Sequence, residues 1–135
     1  MTEMTTTATI DAVDTVLTFV ADTLRANGCP ERNIAKLCIC IEELYVNVAN
    51  YAYPPKTGNA VISCDVLENP RRAVLTIKDT GTPYDPLKKE DPDITADIES
   101  RPIGGLGIFI VKKTVDEMTY GFVDGQNIVT IVKNF

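Results

Sequence analysis

The chain contains no histidine and no tryptophan. The missing histidine removes Ser-His and Cys-His nucleophile pairs, any phosphohistidine chemistry on this chain, and the common ligand sets of a zinc site. Four cysteines are present, Cys29, Cys38, Cys40 and Cys64, but none of them form a CxxC pair. Cys38 and Cys40 lie two apart on a predicted helix and point in different directions, so the cysteines read as buried, reduced thiols. Positive charge is in deficit: 13 Lys+Arg stand against 19 Asp+Glu, a net charge of −6. A general binder of nucleic acid or of an anionic membrane needs a basic face to neutralise phosphates, so neither is expected as a partner. No apolar run approaches the ~20 residues that cross a bilayer, and the opening MTEMTTTATI lacks the charged and apolar regions of a signal peptide. A cytoplasmic location is expected. Chemistry is left to carboxylates, amides, hydroxyls and the backbone.

What is present suits one domain over residues 1–135, with 44% hydrophobic content to form a single core. The Thr-rich start reads as an edge strand. IDAVDTVLTFVADTLRANG carries Val13, Val16, Leu17, Val20 and Leu24 at helical spacing and stops at Gly28. Pro30 and Glu31 open a second helix that runs to about Tyr53, where Pro54 and Pro55 end it. Residues 59–68 and 73–79 read as two strands joined by the turn ENPRR. Helical spacing returns from Leu106 to about Glu117 through Ile110, Val111, Thr114, Val115 and Met118. The closing TYGFVDGQNIVTIVKNF reads as a hairpin, with Asp124-Gly125 as its turn. Helices followed by hairpins predict an α+β, two-layer sandwich with helices on one face of the sheet. Residues 82–103 hold four prolines and dense charge without a period. A connection longer than about 12–15 residues inside a compact domain is usually functional or disordered. Its place between two glycine-containing motifs favours a lid.

Three stretches carry candidate chemistry. In CIEELYVNVANYAYP, residues 40–54, two asparagines sit in a helix interior, where each costs about 0.6 kcal/mol against alanine. At 100° per residue, Leu37, Ile41, Leu44 and Val48 form the core stripe, while Lys36, Glu43, Asn47 and Asn50 form a polar wedge nearly opposite. Glu43 and Asn47, four apart, address one small volume. An asparagine oxygen suits Mg²⁺, which takes few protein ligands, and Glu43 is then placed to orient or deprotonate a nucleophile. In IKDTGTP, residues 77–83, Asp79 shares strand parity with Leu75 and Ile77, so a carboxylate emerges on the core side. It needs donors there, an adenine amino group being one candidate. Gly81 leaves room for a flat ring to approach the backbone. In IGGLGI, glycines enter a helix start whose N–H groups suit phosphate. Neither a Walker A loop nor a Rossmann turn is present, because the required Gly-Lys-Ser/Thr and glycine spacings are missing.

In that order, E-x-x-x-N on a helix, D-x-G at a strand end, a long lid and G-G-x-G at a helix start resemble the GHKL ATPase superfamily. Within it the chain is most similar to the bacterial anti-sigma-factor serine/threonine kinases, through EELYVNVANYAY, DTGTPYDP, GGLGIFIVKKTVDEMTY and NIVTIVKNF. The resemblance implies a Bergerat-type sandwich, with about three helices on one face of a mixed, mostly antiparallel sheet and an ATP lid at about 82–103. It implies Glu43 as catalytic base and Asn47 as the Mg²⁺ ligand. Asp79 and Gly81 then serve adenine, Gly104, Gly105, Leu106 and Gly107 the phosphates, and Thr130 is the strand threonine near adenine. Arg101 is placed by charge and position to reach a terminal phosphate. ATP and Mg²⁺ are the implied substrate and cofactor. The implied partners are a STAS-domain anti-sigma-factor antagonist, a sigma factor and a second copy of the chain. The alternative is a nucleotide-loaded switch that binds a protein without phosphotransfer. Two departures from the family pattern stand out: Tyr51 where close relatives often have histidine, and D-T-G-T-P in place of D-x-G-x-G.

Overall fold

The computed structural model describes residues 2–88 and 106–135. The Thr-rich start forms β1 (Thr2–Thr7), and a short 3-10 turn leads into α1 (Val13–Ala26). Gly28, at φ +79°, adopts the left-handed conformation that ends this helix, and Pro30 opens α2 (Glu31–Tyr51). Arg25 in the last turn of α1 donates to both carboxylate oxygens of Glu31, at 2.6 and 3.1 Å. The pair is exposed and holds the α1–α2 corner with little net energy.

The two hairpins form as their patterns predict. β2 (Asn59–Leu67) pairs with β3 (Arg72–Asp79), and β4 (Glu117–Val123) with β5 (Gln126–Asn134). Asp124 and Gly125 both take positive φ, 53° and 77°, which is the requirement of the two-residue turn that matches strand twist. The strand order is β1-β2-β3-β5-β4, and every pairing among the described strands is antiparallel. The expectation of a mixed sheet is thus not met by them.

The third helix, α3 (Leu106–Thr114), ends earlier than its spacing suggests. Asp116 donates its N–H to the Val132 carbonyl at 2.8 Å, and its carboxylate receives the Asn134 N–H at 2.7 Å. These bonds to β5 pull the chain out of the helix, so Met118 belongs to β4, where period 2 replaces period 3.6.

Alternate residues of the strands, among them Ile62, Cys64, Leu75, Ile77 and Ile131, are buried with Val16, Val20 and Leu24 of α1, Leu37 and Ile41 of α2, and Ile108 and Val111 of α3. This is the helix face of the sheet. Because burial alternates strictly along β3, the same parity carries Asp79 to the edge of the core, 6% exposed. No described helix is long and apolar enough to cross a membrane.

Candidate functional site

The rotation of α2 about its own axis decides what faces the site, and Tyr45 sets it. This fully buried ring reaches the β1–α1 connection, where its hydroxyl accepts from Thr9 N–H (3.1 Å) and donates to the Thr9 carbonyl (2.7 Å). Ile41, Leu44 and Tyr45 then lie on the core side, and at about 100° per residue Glu43 points away from Tyr45. Glu42 is exposed on the outside.

The expected polar wedge of α2 does not act as one surface. Asn47 is half-buried and borders the core stripe, lining a pocket between the C-terminal half of α2 and the ends of β3 and β5. Glu43 is half-buried against α3, and Lys36 and Asn50 are exposed. The cause is geometric. Asn47 is only about 60° from Leu44 around the helix, whereas Asn50 lies about 120° away, beyond the pocket wall.

The pocket opens to solvent, and its interior and mouth together span about 370 Å³. Asn47, Asp79 and Asn127 supply polar groups, and Leu44, Val48, Pro86 and Val129 supply apolar walls. Tyr51 and Tyr84 stack at its rim, with centroids 5.7 Å apart and planes inclined by 28°. Tyr51 is 51% exposed.

Among the described residues no cation lies beside Asp79; its Oδ1 accepts from the Gly81 N–H and from Asn127 Nδ2, both at 2.9 Å. Two neutral donors satisfy one oxygen, while Oδ2 makes no bond among the described residues. Thus the site can accept one more hydrogen bond from a ligand. Asn127 was not singled out by sequence. Its signal was the one that marked Asp79: a polar residue with the parity of Val129 and Ile131, at a strand end.

Gly81 does not line the pocket. A Cβ there would stand 2.2 Å from the Ala52 carbonyl oxygen and 2.5 Å from its carbon, and the Thr82 N–H donates to that same carbonyl at 2.7 Å. The C-terminal end of α2 is what packs against this glycine. Thr130 is also not brought to the pocket. It pairs with Thr76 on the face opposite Val129 and Ile131, because successive residues of β5 alternate faces.

At the other end of the site α3 lies against α2. A Cβ on Gly107 would come within 2.1 Å of Glu43 Oε2 and 2.9 Å of its Cδ, so this glycine admits the carboxylate. Cys40, one turn earlier on α2, is buried, and its thiol is pushed up to about 11 by desolvation, with the Glu43 charge adding in the same direction. Gly104, Gly105, Arg101 and most of the expected lid lie outside the described residues, as does the side chain of Leu106. Among the described residues no group of three or more His, Cys, Asp or Glu side chains could hold a metal. A single amide oxygen from Asn47 fits only an ion that takes its other ligands from water and phosphate, as Mg²⁺ does.

The sequence matches the histidine kinase-like ATPase domain family over residues 6–133. Among curated proteins it is similar to the serine/threonine-protein kinase BtrW of Bordetella bronchiseptica, 26% identical over 98 residues, covering 73% of this chain and 68% of that protein. Among solved structures it is similar to the RsbU and RsbW domains of Rv1364c from Mycobacterium tuberculosis, with a TM-score of 0.64 and 15% identity. That match covers 98% of this chain and 32% of the other, so the chain spans about a third of that molecule. The histidine kinase AdeS of Acinetobacter baumannii gives a TM-score of 0.52 at 18% identity, covering 99% of this chain and 68% of that one. At such identities these structures speak for the fold alone, and the fold they share with this chain is the α+β sandwich described above.

Proposed function

Because this chain belongs to the histidine kinase-like ATPase domain family, we propose that it is an ATP-dependent serine/threonine protein kinase of the anti-sigma-factor type. Its substrate in this reading is a hydroxyl on a STAS-domain anti-sigma-factor antagonist. A sigma factor is a second partner, the chain acts as a homodimer, and it works in the cytoplasm. The observation that carries the reading is the seat of Glu43. Its carboxylate is admitted against Gly107, one helical turn from Asn47, which lines the pocket together with Asp79.

In this reading Asp79 Oδ2 accepts from the amino group of adenine, and the apolar walls cover the ring. Asn47 holds Mg²⁺, which when bound neutralises charge on the phosphates. Gly104, Gly105, Leu106 and Gly107 serve the phosphate side. Glu43 accepts the proton of the incoming hydroxyl as its oxygen bonds to the γ-phosphorus and the bond to ADP breaks. The rest is positioning, which supplies most of the catalysis in phosphoryl transfer. The kinship with a protein named as a serine/threonine kinase supports phosphotransfer to a side-chain hydroxyl.

The test is incubation with ATP, Mg²⁺ and a candidate STAS-domain protein, read by intact mass. One added phosphoryl group on the partner supports the kinase, and a Glu43→Gln variant should lose it. Tight, nucleotide-dependent binding with no added mass would overturn phosphotransfer and leave a binding switch. A variant as fast as the parent would remove Glu43 from the mechanism.

A further inference from the structure

Asn127 is 4% exposed, the least exposed polar side chain lining the pocket, and all of its hydrogen-bonding atoms are engaged. Its Nδ2 donates to Asp79 Oδ1 (2.9 Å) and to the Thr82 carbonyl (3.1 Å), with the Gly81 carbonyl at 3.4 Å. Its Oδ1 accepts from the Tyr84 N–H (3.3 Å) and from the Tyr120 hydroxyl. The surroundings leave one orientation of the amide. Reversed, it would set an oxygen against a carboxylate and two carbonyls, and an NH₂ against an N–H donor. Tyr120 of β4 therefore fixes Asn127 of β5, which fixes both Asp79 of β3 and the loop through Tyr84.

The consequence falls on Asp79. With Oδ1 occupied by Asn127 and by the Gly81 N–H, only Oδ2 is left to meet a ligand, and it can only accept. We propose that Asn127 is a specificity-determining positioning residue for the nucleobase: by holding Oδ1 and the 81–84 main chain, it presents Oδ2 as a lone, oriented acceptor. A ring bearing an exocyclic amine at that edge is accepted, and one bearing a carbonyl meets oxygen with oxygen and is refused. Without Asn127 the carboxylate is free to turn, and its acceptor is no longer aimed at the amine. Tyr120 serves the same end at one remove. The inference rests on reading this pocket as a nucleotide site.

The experiment compares ATP with inosine triphosphate, which replaces the amine by a carbonyl, by calorimetric titration with Mg²⁺. It uses the parent chain, Asn127→Leu, Asn127→Asp and Tyr120→Phe, with thermal unfolding of each. Asn127→Asp retains an acceptor for the Tyr84 N–H and the Tyr120 hydroxyl but no donor for Asp79, Gly81 or Thr82, so beside Asn127→Leu it separates loss of the donor side from loss of the acceptor side. The parent should prefer ATP by at least about tenfold, since a site built around a hydrogen bond discriminates strongly against its loss. Both Asn127 variants should lower that ratio by about tenfold, the value of one hydrogen bond to a charged group. Tyr120→Phe should lower it by about two- to threefold. If the parent prefers ATP and the Asn127 variants keep the full ratio, weakening both nucleotides alike in step with their thermal stability, Asn127 is merely structural and the inference fails alone. If the parent binds neither nucleotide, the reading of the pocket fails and takes the inference with it.

Discussion

Gly107 of α3 lies so close to Glu43 of α2 that a side chain on the one would overlap the carboxylate of the other, with Cβ to Oε2 at 2.1 Å. The clash is with the far end of a flexible side chain, so a larger residue displaces Glu43 without breaking the helix. Gly107→Ala should keep thermal stability within about 1 kcal/mol, the loss of contact being offset by better helix propensity. Phosphorylation of the partner should fall by about a hundredfold, the scale of a 1 Å misplacement. A variant of full activity would show that the Glu43 carboxylate need not occupy this seat.

Glu43→Gln keeps the shape and removes the base. ATP affinity should change by less than about threefold, while the phosphotransfer rate falls by about 10²–10⁴-fold, the usual contribution of a general base. Equilibrium nucleotide binding measured beside single-turnover kinetics separates the two effects.

Gly81 offers the opposite case, because its neighbour is backbone. A Cβ 2.2 Å from the Ala52 carbonyl oxygen cannot be relieved by a rotamer change. Gly81→Ala should therefore cost about 1–3 kcal/mol, as overpacking does, read as a lower urea midpoint at unchanged slope. Nucleotide affinity should fall too, since the same turn donates the Gly81 N–H to Asp79.

Alkaline pH should destabilise the fold through its thiols. Burial pushes Cys40 up to about 11 and Cys64 to about 12 from an ordinary value of 9.0. The folded state thus keeps protons that the unfolded chain releases, so stability is fully present below pH 9.0 and falls as pH rises from there through about 11 and 12. Urea titrations at pH 8, 9.5 and 10.5 should show a progressive loss, smaller in Cys40→Ala or Cys64→Ala after allowing for the cavity. A flat profile above pH 9 would exclude this linkage.

Local pattern carried much of this protein. The spacing of α1 and α2, the Asp124-Gly125 turn, the β2–β3 hairpin and the core parity of Asp79 were all legible, because helical and strand periodicities are properties of neighbouring residues. Gly107, singled out through motif order for the phosphate side, meets Glu43. What the sequence could not state was which strand lies beside which. The pairing of β3 with β5 sets Asp79 opposite Asn127, and strand alternation turns Thr130 to the other face. The end of α3 was settled by hydrogen bonds from Asp116 to β5, the room at Gly81 by the end of α2, and the split of the α2 polar wedge by α3 lying against Glu43 while the pocket lies against Asn47. Each is a contact between residues far apart in the chain, fixed by a register that closes only when the sheet and helices bury one another.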